Sequence, residues 1–250
     1  MYLLDHLVHF VEKPEKLVET TREHGIHTVN GGKHEMWGTY NSLCYFELSY
    51  IEFIGIFDEA LFEKSALEPF TLHETYKKKN FQNGVVRIAL RTENIEKAAE
   101  NLRLLSYEVH GPEKFSRTRP DGTILKWKLL HFGKTGQSLD FPFVIQWDGD
   151  DDQRFQELVE SGVIKPHPIG DLQIKEIEIE VGDLSIAAEW GKVFGLEVEG
   201  TDSIRTIKIA NCELKFKAVD GNNKISQITI SGAQEEKELI IEGTSYLFKD

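Results

Sequence analysis

The residues best suited to chemistry gather first in VNGGKHEMWGTYNSLCYF (29–46), which holds His34, Trp37, Thr39 and Asn41 close together. Gly31 and Gly32 let backbone approach a ligand, Trp37 offers a flat wall, and His34, Thr39 and Asn41 offer hydrogen bonds. The same residues also suit a structural role, with the glycines making a turn, Trp37 packing on the core and His34 capping a loop. Arg117 and Arg119 precede Pro120-Asp121-Gly122, a turn sequence. Cations fixed beside that turn can hold an anionic ligand or make surface salt bridges. Trp127 alternates with Lys126 and Lys128 and so points inward, as core filling or as a ligand wall. In PFVIQWD, Val144 and Gln146 share one strand face, while Phe143, Ile145 and Trp147 share the other.

Several other chemistries are excluded. The chain has no phosphate-cradling glycine loop, no dinucleotide fingerprint and no Gly-x-Ser-x-Gly elbow. A net charge of −13 argues against nucleic acid, and YKKKN (76–80) is too short to offset it. Asp148, Asp150, Asp151 and Asp152 lack the later ligands of a calcium loop and read as a turn into a helix. No stretch approaches the roughly 18 apolar residues of a membrane helix. The opening MYLLDHLVHFVEKPEK is not a secretory signal, because Asp5 and His6 interrupt its apolar run. Cys44 and Cys212 have no metal-site spacing, so free thiols in a cytoplasmic protein are expected.

The elements that must position these residues follow from periodicity. Leu4, His6, Val8 and Phe10 alternate on one strand face, with Asp5, Leu7 and His9 on the other. EKPEKLVETTREHG reads as a helix with Pro14 in its first turn and Gly25 beyond its end. HTVNGG is a loop, and NSLCYFEL and SYIEFIGIF are strands. The same order restarts near residue 84 and predicts two βαβββ modules, about 2–57 and 84–148. An offset of 81 superposes Glu12, Glu15, Lys16 and Glu19 on Glu93, Glu96, Lys97 and Glu100, a match at exposed positions that marks an internal repeat. A helix and linker occupy 151–171. A third, shorter strand–helix–strand unit follows over 172–250, with Asp183, Ile186, Trp190 and Phe194 at helical spacing. The fold class is α+β, a cupped mixed sheet of tandem βαβββ modules over 1–150 with a related partial module behind.

This order, together with DHLVHFV (5–11), the Gly-Gly-x-His-x-x-Trp-Gly-Thr-x-Asn run (31–41), SRTRPDGTILKW (116–127) and PFVIQWD (142–148), resembles the glyoxalase-like proteins of the vicinal-oxygen-chelate superfamily. Metal-dependent members of that superfamily take one ligand from each module's first strand and a carboxylate from its last. The resemblance therefore places His6 and Glu52 in a cleft from module one. Arg87 and Gln146 take the matching places in module two. Arginine stays protonated and has no acceptor, and glutamine is a poor transition-metal ligand. A divalent metal would have only His6 and Glu52, and no cofactor is expected. Arg87 can instead pair with Glu52, or hook a substrate anion while Glu52 or His6 acts as base. His6, Glu52 and Arg87 are thus the candidate catalytic residues. His34, Trp37, Thr39, Asn41, Arg119, Trp127 and Gln146 are the candidate substrate-binding residues.

Three functions fit the resemblance. One is a lyase, isomerase or dioxygenase acting on a small oxygenated or carboxylated metabolite. The second is a protein that sequesters a small-molecule ligand without turnover. The third is a structural role, in which the incomplete third module pairs its open β edge with a second copy in a homodimer.

Overall fold

The computed structural model describes residues 1–118, 122 and 124–250. Arg119 and most of the turn beside it lie outside the described residues.

Module one runs β1 (Leu3–Phe10), α1 (Pro14–Glu23), β2 (Val29–His34), β3 (Thr39–Phe46) and β4 (Ser49–Ile56). Two short helices follow, α2 (Glu59–Ser65) and α3 (Leu72–Lys78). Each is capped by a side chain, Asp58 accepting from Leu61 N and Thr71 from Glu74 N. Module two runs β5 (Gly84–Arg91), α4 (Ile95–Leu104), β6 (Glu108–Thr118), β7 (Ile124–Gly133) and β8 (Phe143–Trp147). The 81-residue offset carries β1 onto β5 and α1 onto α4 with the same limits. The glycine segment expected as a loop is instead edge strand β2, paired with β3 through a register shift between Asn30 and Lys33.

These strands form one mixed sheet in the order β2-β3-β4-β1-β5-β8-β7-β6 among the described residues. β1 is parallel to β4, β5 is parallel to β8, and the two modules meet where β1 pairs antiparallel with β5. The sheet curls into a cup.

Residues 172–250, expected as one partial unit, contain more. After α5 (Asp151–Glu160) come β9 (Gly170–Val181), α6 (Ser185–Phe194), β10 (Val198–Gly200), β11 (Ile204–Ile209) and β12 (Cys212–Ala218), which make a complete βαβββ unit. A fourth unit, without a helix, follows as β13 (Lys224–Ala233), β14 (Lys237–Ile241) and β15 (Thr244–Phe248). The second sheet has the order β10-β11-β12-β9-β13-β15-β14. β13 pairs antiparallel with β9 just as β5 pairs with β1. The chain's own last strands thus extend the sheet beyond β9, and it ends at β10 and β14 among the described residues.

The two sheets stand back to back. Leu4, Leu7, Ile88, Leu90, Ala99 and Leu102 join Ile177, Ile179, Trp190 and Phe216 in one apolar core. A side chain of Leu or Phe size contributes about 1.5–3 kcal/mol when so buried. Polar ties cross the same seam. Asn211 both accepts from Leu4 N (2.8 Å) and donates to Leu4 O (3.1 Å). His9 Nδ1 hydrogen-bonds the Tyr246 hydroxyl at 2.5 Å. Outward, the two sheets differ. The free face of the second carries a Lys–Glu ladder, with Lys215 at 3.3 Å from both Glu176 and Glu178, and Lys224 at 3.2 Å from Glu180. The cup of the first sheet is apolar and aromatic, with Val8, Phe10, Ile54, Phe143 and Ile145 packed beneath α2 and α3. Among the described residues no helix is long and apolar enough to cross a membrane.

Candidate functional site

The floor of the cup is built on β1 and β4. Strict alternation would put Asp5 on the core side with Leu7 and His9. However, the β1–β5 register shifts between Leu4 and His6, and this bulge turns Leu4 into the core and Asp5 toward the cup side. Asp5 is fully buried and sits 2.7 Å from His6 Nδ1. It also accepts from Trp147 Nε1 at 2.9 Å, and Arg154 Nη1 lies 3.6 Å away. Burial alone would push its carboxyl up. The His6 hydrogen bond and the charges of Arg154, His6 and Arg91 outweigh that and hold it below the usual carboxylate range. An ionised Asp5 accepts the His6 Nδ1 proton, so His6 presents Nε2 to the cup.

Glu52 faces that nitrogen. It is 7 % exposed, and its Oε2 is 3.8 Å from His6 Nε2. Asn41 Nδ2 donates to Oε1 at 2.6 Å, and His34 Nε2 stands 3.9 Å from the same oxygen. Neither imidazole is within hydrogen-bonding distance of the carboxylate, which leaves Glu52 open to a ligand atom. Asn41 is itself oriented by Gly32 N, which donates to its Oδ1 at 2.9 Å, and His34 Nδ1 is 3.0 Å from Thr39 Oγ1. Gly31 is required for space, and Gly32 lies close against the end of the Arg117 side chain. A Cβ on Gly31 would come 1.9 Å from Asn41 Oδ1, and one on Gly32 would come 2.8 Å from Arg117 Nη1.

The walls close a cavity of about 90 Å³, lined by His6, His34, Trp37, Thr39, Asn41, Glu52, Trp127 and Trp147, among others. This is smaller than the roughly 300–1,000 Å³ of sites for drug-sized ligands. His73 of α3 and Arg117 of β6 also line it. His73 is 4 % exposed and neither ring nitrogen has a partner; burial, reinforced by the charge of His34, lowers its pKa to about 3, so it is neutral. Burial also lowers His34, with Glu52 opposing and Arg117 adding to the shift.

The structure thus brings together His6, Glu52, His34, Trp37, Thr39, Asn41 and Trp127. It separates two other candidates from them. Arg87 lies on β5 opposite Val8 but turns under the start of α3, where Nη1 donates to Phe70 O (3.0 Å), Thr71 O (3.4 Å) and Thr75 Oγ1 (2.8 Å). It is 2 % exposed and makes no ion pair with Glu52; only Nη1 is hydrogen-bonded, and Nε and Nη2 have no partner among the described residues. Gln146 faces the helices, and its Oε1 accepts from Ile95 N at 2.9 Å at the first turn of α4. The true counterpart of Glu52 is Phe143. Glu52 is in register with Val8 on β1, and Phe143 with Ala89 on β5, the residue 81 positions after Val8. Sequence reasoning missed Asp5, His73 and Phe143. Arg117 was visible as half of an arginine pair, and Arg119 lies outside the described residues.

These facts decide how the superfamily's four-ligand metal set fits this cup. Module two presents Phe143 at the carboxylate position and a hydrogen-bonded Arg87 at the first-strand position, so only His6 and Glu52 correspond. Among the described residues no group of three or more His, Cys, Asp or Glu has a metal-holding arrangement. The set does not fit.

Comparison with known proteins agrees with this architecture. The glyoxalase-like domain family matches residues 4–194, and the chain belongs to that family. The match runs through the third unit as far as α6. A hypothetical protein from Staphylococcus aureus shares the fold over 99% of both chains, at 22% identity and a TM-score of 0.88. A 4-hydroxymandelate synthase mutant from Streptomyces coelicolor aligns over 91% of this chain and 70% of its own, at 8% identity and a TM-score of 0.53. A xylose isomerase-like TIM barrel/4-hydroxyphenylpyruvate dioxygenase fusion aligns over 92% of this chain and 36% of its own, at 11% identity and a TM-score of 0.52. No curated protein sequence matches the chain.

Proposed function

We propose that the cup binds a small anionic, oxygenated metabolite and moves a proton on it, as an isomerase or lyase working through its own side chains. The observation that carries this reading is Glu52, a buried carboxylate with one oxygen tethered by Asn41 and no Lys or Arg neutralising it among the described residues. A carboxylate kept open in an apolar site suits proton abstraction beside a carbonyl. Arg117 supplies the charge that holds the substrate's anionic group at the rim. His6, its Nδ1 proton held by Asp5, turns a bare Nε2 toward Glu52 and can take the abstracted proton from that carboxyl and return it to the substrate, and the tryptophans limit the water around the reacting carbon. The small cavity favours a compact substrate.

The test is solvent exchange. Purified protein is incubated in D₂O with a panel of small 2-oxo and 2-hydroxy acids, and C–H to C–D exchange is followed by NMR. Exchange into one of them, reduced at least about a hundredfold in Glu52→Gln, is the expected result. Saturable binding without exchange would instead support ligand sequestration, for which the three-tryptophan lining is the favouring observation.

A further inference from the structure

Beside the cup, between β3 and α5, runs a wider groove of about 460 Å³. Tyr45, Arg117 and Trp147 line both spaces, so the groove is continuous with the cup. Its far side is formed by Leu158, Val163 and Arg154. No Asp or Glu lines it among the described residues, although the chain as a whole carries a net charge of −13.

Arg154 is the informative residue. Its side chain is only 8 % exposed, its guanidinium lies over Trp147 with 4.9 Å to the ring centroid, and Nε and Nη2 have no hydrogen-bond partner. Asp5 and Asp151 balance its charge from 3.6 Å each, which is beyond hydrogen-bonding distance. Nε and Nη2 are closed off from solvent, which leaves Nη1, 3.6 Å from Asp5 and beyond hydrogen-bonding distance of it, as the nitrogen for a groove ligand to meet. A guanidinium N–H gives a carboxylate or phosphate oxygen a charge-assisted hydrogen bond.

We propose that this groove is a second compartment of the cup, taking the remote anionic end of a two-headed acid. The first head sits at Arg117 over Glu52. The carbon chain runs between Leu43, Leu158 and Val163, and the second anionic group meets Arg154. The proposal rests on the cup being an acid-binding site, and it adds the length and second charge of the ligand.

The test is isothermal titration calorimetry with unbranched diacids from glutarate to suberate, against the monoacids of equal carbon number. One diacid length is expected to bind about tenfold tighter or more than its matched monoacid, the effect of one charge-assisted hydrogen bond. Arg154→Gln should remove that advantage. Arg154 contacts buried Asp5, so a second variant, Ser161→Trp, fills the groove mouth from an exposed position and should have the same effect. Diacids and monoacids of equal length binding alike would make the groove an apolar slot and overturn the second-anion assignment. If monoacids bind and weaken in Arg117→Ala while diacids gain nothing, the groove proposal fails and the cup reading stands. If neither series binds, both fail.

Discussion

Replacing His73 with phenylalanine tests the electrostatics of the cup through stability. His73 and His9 are both buried, and burial lowers each pKa from 6.5 to about 3. A histidine depressed in the folded state takes its proton first in the unfolded chain. Its neutral form therefore supports folding fully above pH 6.5, and that support drains away as pH falls toward 3. One pKa unit corresponds to about 1.36 kcal/mol, so between pH 6 and pH 4 each residue accounts for about 2.5 kcal/mol of lost stability. Together they cost about 5 kcal/mol, against a typical total of 5–15 kcal/mol. Because neither His73 nitrogen has a partner, His73→Phe breaks no hydrogen bond. At pH 7 it should lie within about 1 kcal/mol of the parent. Urea unfolding at half-unit steps from pH 7 to pH 4, followed by circular dichroism, should give a shallower slope for the variant. The separation should change by about 3 kcal/mol between pH 7 and pH 4. Asp5, which is buried, and Asp140, which is half-buried, are held below 3.8, so most of their contribution is lost below this window. Parallel pH slopes for parent and variant would refute the reasoning.

Three further outcomes follow from the same geometry. Asp5→Asn cannot accept from both His6 and Trp147, so it should cost about 1–3 kcal/mol and raise the Nδ1-bare tautomer of His6 in ¹⁵N NMR; unchanged imidazole shifts would contradict the role assigned to Asp5. Gln146→Ala should lower stability by about 1 kcal/mol through loss of an α4 cap while leaving acid binding in the cup untouched, and weakened binding would return Gln146 to the site. Gly31→Ala should disturb binding far more than its surface position suggests, because the new methyl group would strike Asn41 Oδ1 and shift the Glu52 tether; an unchanged titration curve would contradict this.

Much of the fold was legible because the modules repeat. One offset aligns strand with strand and helix with helix, and shared exposed residues betray it. Module one's half of the site was legible too, since Asn41 and Glu52 lie on strands whose alternation survives folding and the family resemblance marked His6 and His34. What could not be read was the other half. Alternation put Val144 and Gln146 on one face of β8 and Phe143 on the other, correctly. Which face turns to the cup depends on β5–β8 pairing, and both faces of β8 are apolar enough to look like core. Asp5 was assigned to the wrong side because a bulge resets a two-residue period without leaving a mark in composition. His73 sits on a helix between the modules, where no strand pattern points, and only the folding of α3 over the cup brings it in.

β1 has neighbours on every side, with β4 and β5 along its edges, the second sheet behind it and the cup in front. Its amides can meet solvent only when the back-to-back core comes apart, so they should be the slowest to exchange in the chain. Asp5 and His6, which the proposed proton transfer would use with Glu52, therefore ride on the part of the molecule that opens last. Any adaptation to differently shaped ligands falls to the rim, to β6, β7 and the end of α5. Variation there should retune which acid is held and leave the acid–base pair at the floor where it is.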